Sequence, residues 1–176
     1  MSTTGVEPAT VTAAQLRAAA RCLPAGVTVV TSGRGASVHG MTVSSFTTLS
    51  LTPPLASFSV KEGARIRGLI EESGAFVVNV LAAEQAYVAK WFADPERPMG
   101  TGGFADGAEP ADPSPACGFV LAGAIGYFTC RLVRFVEAGD HVIAIGAVEH
   151  CGTLRDAPPL VFEGGAFRTL RPVAPD

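Results

Sequence analysis

Apolar residues in this chain come in short runs of strand length, interrupted three times by the three-to-four-residue spacing of a helix. Thr12-Ala13-Ala14-Gln15 reads as a capping box with Val11 and Leu16 spaced for a hydrophobic staple, predicting a helix through Leu23 that stops at Pro24 and Gly26. Residues 27–31 predict a strand turned by Ser32-Gly33-Arg34-Gly35; residues 38–46 and 55–60 predict two more, separated by the Pro53-Pro54 corner. Residues 64–72 carry Ile66, Leu69 and Ile70 on one helical face, residues 76–81 read as a buried strand, and residues 83–93 as a helix presenting Tyr87, Val88, Trp91 and Phe92 inward. Residues 94–118 are rich in Pro and Gly and too long for a simple connector, so a lid or mobile loop is expected there. Strand patterns return at 119–137, 141–150 and 160–170, the last broken at Gly164-Gly165, and Ala138-Gly139-Asp140 forms a hairpin turn.

Many strands with few, short helices predict a mainly β (α+β) fold, a closed antiparallel barrel with helical additions. A doubly wound fold is disfavoured because strand–helix alternation fails over the last third. One domain is expected over residues 12–171, with residues 1–11 a flexible tail and 172–176 a short C-terminal one. At 176 residues and 48% apolar composition the chain can bury a substantial core. A net charge of −3 gives no basic face for nucleic acid or anionic membrane. Residues 1–10 lack the apolar centre of a secretory signal, and the most apolar run, 119–128, is too short to cross a bilayer, so a soluble, cytoplasmic protein is expected. Cys22, Cys117, Cys130 and Cys151 have no Cys-x-x-Cys spacing, and His39, His141 and His150 form no i,i+4 pair, so no metal site is expected.

The candidate chemistry lies in residues 40–54, where Thr42, Ser44, Ser45, Thr47, Thr48, Ser50 and Thr52 crowd into one region without an acid, base or metal ligand. Short hydroxyl side chains donate and accept, and they let a ligand approach the backbone. Such a run suits a wall that holds a large, polar-edged cofactor. Composition alone equally allows a polar strand with a proline stop. The glycines of residues 33–40 are not spaced for a dinucleotide loop, and a strand rather than a helix follows them.

Taken in order, Pro24-Ala25-Gly26-Val27-Thr28-Val29-Val30-Thr31, the 40–54 run, Phe76-Val77-Val78-Asn79-Val80-Leu81 and Gly139-Asp140-His141 resemble the flavin reductase family that serves two-component flavin-dependent monooxygenases. The resemblance spans about residues 13–171. It implies an FMN-binding split barrel, usually a homodimer, that takes FMN or FAD as flavin and NADH or NADPH as hydride donor. It implies that Met41, Thr42, Val43, Ser44 and Ser45 line the flavin and that Ser50 and Leu51 continue this wall. It puts the flavin phosphate at Lys61, Gly63, Ala64 and Arg65, where Gly63 and Ala64 stand in place of a frequent serine. His141 takes the position associated with the nicotinamide coenzyme, and Phe167 the place of a common tyrosine. The implied activity is NAD(P)H:flavin oxidoreduction supplying reduced flavin to a separate monooxygenase. The alternatives are a tightly bound FMN that reduces ferric iron, a cobalamin or a quinone, and a non-catalytic flavin-binding split barrel. Hydride transfer between two stacked rings needs no protein nucleophile, so the missing catalytic acid or base is consistent with this activity.

Overall fold

The structure, a computed structural model, describes residues 10–98, 100, 110–113 (backbone only) and 117–171. The expected tails lie outside the described residues except for Thr10 and Val11, as does most of the expected 94–118 lid. Among the described residues, three α-helices, α1 (Ala13–Ala20), α2 (Arg65–Ser73) and α3 (Ala86–Ala93), accompany twelve strands. The strands are β1 (Ala25–Gly26), β2 (Thr28–Ser32), β3 (His39–Val43), β4 (Thr47–Leu51), β5 (Pro54–Lys61), β6 (Ala75–Val80), β7 (Pro110–Pro113), β8 (Phe119–Leu121), β9 (Gly126–Ala138), β10 (His141–Thr153), β11 (Leu160–Glu163) and β12 (Ala166–Thr169).

Seven strands form one antiparallel sheet in the order β3-β2-β6-β9-β10-β5-β4, and β1, β11 and β12 form a second. The terminal strands β3 and β4 are separated by only Ser44, Ser45 and Phe46. Seven strands laid flat would put them about 29 Å apart, six spacings of about 4.8 Å, whereas the linker reaches roughly 14 Å. The sheet therefore curls. Ser45 stitches the curl, its hydroxyl accepting from Ser59 N at 2.9 Å and donating to Ser59 O at 3.3 Å on β5. The mainly β expectation holds, but no ladder joins β3 to β4 among the described residues, so the hydrogen-bonded order is open.

Two cores explain why several strands read as continuous apolar runs. On β2, Val29 packs with Leu81, Val88, Phe92 and Leu121, while Val30 faces Phe58, Ile66, Ile70 and Phe76. A strand covered on both faces loses the polar alternation of a half-exposed one, and all of β2 is buried. Buried polar groups pin β8 to this wall. Asn79 Nδ2 donates to Val29 O and Phe119 O, both at 3.2 Å, its Oδ1 accepts from Leu121 N at 2.8 Å, and Thr31 Oγ1 donates to Phe119 O at 2.9 Å. Each bond satisfies a group whose burial would otherwise be costly.

Several boundaries differ from those expected. The expected 38–46 strand ends at Val43, and residues 47–51, which showed no separate strand pattern, pair with β5 as β4. The expected 119–137 strand is two strands, because the left-handed backbone of Gly123 (φ 75°) breaks it. The helix expected over 83–93 opens with a 3-10 turn, Ala83–Gln85, before α3. Of the four residues expected inward on that helix, Val88 and Phe92 face the core together with Ala89, whereas Tyr87 and Trp91 are exposed. Residues 87 and 91 are i,i+4 partners, as are 88 and 92, so a shift of one position turns the wrong pair outward. The α1 capping box forms as expected, Thr12 Oγ1 accepting from Gln15 N at 3.3 Å and Gln15 Oε1 from Thr12 N at 2.9 Å. Its helix ends at Ala20 and buries no residue, with Val11 and Leu16 exposed.

Candidate functional site

Where the sheet curls, a cleft of about 770 Å³ opens between β3 and the paired ends of β5 and β10. Met41, Thr42, Val43, Ser44 and Ser45 form one wall, and Lys61, Gly63, Ala64 and His141 the other. Nine of the expected site residues thus share one cavity, in the size range, about 300–1,000 Å³, of small-molecule sites. Ladder register brings two of these side chains together: His141 on β10 lies opposite Lys61 on β5. Ser59, Val60, Ala93 and Pro95, which the sequence did not single out, complete the lining.

Much of the hydroxyl run is engaged by the protein itself. Thr42 Oγ1 donates to Ala89 O at 2.7 Å and clips α3 against β3, and Ser45 bridges to Ser59. Both oxygens keep lone pairs for a ligand N–H, but their protons are committed. Ser44 is exposed, and with the backbone groups on the edge of β3 that its ladder to β2 leaves over it supplies the polar edge of this wall.

His141 is half-exposed, and its Nδ1 lies 2.8 Å from Asp140 Oδ1. That hydrogen bond, then the imidazole charge, holds the Asp140 carboxyl below the usual carboxylate range. The contact fixes the ring and leaves Nε2 for the cleft.

A recess of about 280 Å³ continues the cleft at its Met41, Gly63 and Ala64 end and reaches the start of α2. Ala64 caps that helix without a side-chain acceptor, so its first amides are uncapped by a side chain. Arg65 lines it, together with two buried residues that carried no sequence signal, His39 and Arg97. Arg97 Nη2 lies 3.0 Å from His39 Nε2 and donates to Gly40 O, and the guanidinium stacks 4.7 Å above the Phe92 ring. Phe92 reaches this place because Gly40 has no side chain: a Cβ there would sit 2.8 Å from the ring. Burial first, then the charges of Arg97 and Arg65, pushes His39 down to about 4. Burial and Arg65 lower Arg97 to about 10, against a smaller opposing pull from Asp94.

Three expected site residues stand apart. Ser50 and Leu51 pair with Leu55 and Pro54 at the far end of β5, six residues or about 20 Å from Lys61. Phe167 lies on β12 in the second sheet, edge-to-face with Phe162 at 5.5 Å and packed on the other core. A single chain does not bring these three to the cleft.

Residues 20–171 match the family model for the flavin reductase like domain. The chain belongs to that family. An NADH-dependent FAD reductase from Streptomyces globisporus is 37% identical over 91% of this flavin reductase-like chain and 87% of its own length. An NADPH-flavin oxidoreductase from Streptomyces viridifaciens is also 37% identical, over 89% and 80%. BorF, the flavin reductase component of a bacterial two-component tryptophan halogenase, superposes with a TM-score of 0.83 at 37% identity, covering 92% of this chain and all of its own.

The cleft fits a flavin in kind. Met41, Val43 and Val60 offer apolar contact to a ring, the edge of β3 offers hydrogen bonds, and cations gather at one end. Among the described residues no three His, Cys, Asp or Glu side chains come together as metal ligands, and no helix is long and apolar enough to cross a membrane. The four cysteines are free, and burial pushes the Cys130 thiol up to about 12, which keeps it unreactive.

Proposed function

We propose that this protein is an NAD(P)H-dependent flavin reductase that reduces FMN or FAD and supplies it to a separate monooxygenase. The observation that carries this reading is the convergence of the 41–45 wall, Lys61, the α2 start and His141 on one cleft. When both are bound, the nicotinamide gives a hydride to the flavin, a solvent proton completes the reduction, and the oxidised coenzyme leaves. The chain's part is to bind and align. Backbone groups of residues 41–45 and the Ser44 hydroxyl hold the polar ring edge, where donors stabilise developing negative charge. Lys61, Arg65 and the backbone at Gly63 and Ala64 meet the flavin phosphate. His141, steadied by Asp140, presents Nε2 to the coenzyme.

In the same reading the curled sheet of residues 12–171 is a split barrel in one domain, and the protein works in the cytoplasm, where reduced nicotinamide is made. It is a homodimer. Leu49 and Leu51 are exposed on edge strand β4, and Val133 and Val136 on β9, which suits a covering second copy. Such a copy would bring Ser50 and Leu51 toward a cofactor that one chain alone does not let them reach.

The test is oxidation of NADH and of NADPH, followed at the nicotinamide absorbance band, with FMN and with FAD. Rapid oxidation that depends on added flavin is expected. His141→Ala should raise the coenzyme KM about tenfold or more, with flavin affinity little changed. A protein that binds flavin yet oxidises neither coenzyme would be a flavin-binding protein only. One that stays yellow through gel filtration and turns over without added flavin would use a resident cofactor for another acceptor.

A further inference from the structure

Arg97 is an unusual group to find inside this protein. It is 4% exposed, its Nε is buried without a hydrogen-bond partner, and among the described residues it has no carboxylate within ion-pair distance. The charge pulling favourably on it is Asp94, whose Oδ1 already accepts from Glu96 N at 2.9 Å. The charge pushing against it is Arg65, in the lining of the same recess. His39, which fills the space beside Arg97, is neutral at pH 7 and supplies no negative charge. A buried cation facing a second cation is costly unless an anion lies between them. The recess also takes in Gly63, Ala64 and Ile66 at the first turn of α2, a place where backbone N–H groups favour negative charge. It opens into the cleft through Met41, Gly63, Ala64, Ala93 and Pro95.

We infer that Arg97 is a further residue of the phosphate end of this cleft, a wall opposite Arg65 that sets the preference for phosphorylated ligands. The inference rests on the reductase reading and adds to it a residue from the segment after α3. The phosphoryl group comes either from the flavin or from the 2′-phosphate of NADPH. Arg97 suits the role because its other contacts orient it. Phe92 supports the guanidinium plane, Gly40 O and the His39 ring hold Nη2, and Nε is left over.

Equilibrium titration by flavin fluorescence separates the possibilities. Riboflavin, FMN and FAD differ in phosphate content and share the ring, so wild type and Arg97→Gln should be titrated with all three, and with NAD⁺ and NADP⁺ as competitors. Weakening of FMN and FAD about tenfold or more, with riboflavin within about twofold, would place the flavin phosphate in the recess. Unchanged flavins with a selective loss of NADP⁺ over NAD⁺ would assign Arg97 to the 2′-phosphate. Arg97→Lys should recover part of whichever preference is lost. Because Arg97→Gln could fail to fold, inorganic pyrophosphate added to wild type provides a second measurement: it should weaken FMN binding and leave riboflavin binding unchanged. Equal losses for every ligand, no loss for any, or no effect of pyrophosphate would overturn this role of Arg97 while leaving the reductase intact. A wild-type protein that bound no flavin, riboflavin included, would overturn both.

Discussion

His39 is 7% exposed, in contact with Arg97 and in the field of Arg65, and its titration has a direct consequence for stability. In the unfolded chain it takes a proton near pH 6.5, whereas in the fold it resists protonation down to about 4. Between those values the unfolded state binds more protons, so stability is full above about pH 6.5 and falls as pH drops toward 4. The two values differ enough for a loss on the order of 3 kcal/mol. Urea unfolding at pH 7 and at pH 4.5 should record the decline, and His39→Gln should flatten it. If both proteins lost stability equally, carboxylates elsewhere would be its source. At this same scale the sequence shows where a site lies better than how each residue serves it. The hydroxyl run marks the cleft wall, but nothing in residues 42–45 reveals that Thr42 and Ser45 direct their protons to Ala89 and Ser59. Arg97 leaves no mark at all, since an arginine in a Pro- and Gly-rich stretch reads as surface charge until its burial is seen.

Elements are set by packing that crosses long sequence separations, and glycines record where that packing is tightest. Gly146 on β10 is at a register shift against β9, and a Cβ added there would lie 2.6 Å from Phe76 Cζ and 2.9 Å from Cys130 Cβ. Both neighbours are almost fully buried, so neither can yield cheaply. Gly146→Ala should cost about 1–3 kcal/mol. For a domain of this size that lowers the melting temperature by roughly 2–10 °C. An unchanged melting curve would mean that Phe76 repacks without strain. Element types were legible from period and from the Gly and Pro stops, and the β9–β10 hairpin turned where Ala138-Gly139-Asp140 predicts. Less legible were the break at Gly123, inside an apolar run, and the buried stripe of α3, where adjacent i,i+4 pairs are all apolar.

On the scale of the whole molecule, the fold class followed from counting strands, whereas the route of the sheet did not. Nothing in residues 44–46 announces that three residues join its opposite edges. Apolar side chains also remain on the outside of a single chain: Leu51 is 90% exposed and Leu49 51%. Sedimentation or light scattering should give twice the 18.0 kDa chain mass, and Leu49→Glu with Leu51→Glu should shift it toward the monomer. A wild-type protein that stayed monomeric at tens of micromolar would refute the dimer.

The cleft wall β3 is also an edge of its sheet, and a free edge offers unpaired N–H and C=O groups that could recruit a foreign strand. Here one of those carbonyls, on Gly40, is taken by Arg97, and the residues that follow open onto the cleft. A cofactor bound there would sit where an invading strand would have to add. Recognition and protection from aggregation would then be the same contact, so saturating flavin should be expected to guard the reductase during storage and refolding as well as to serve as its substrate.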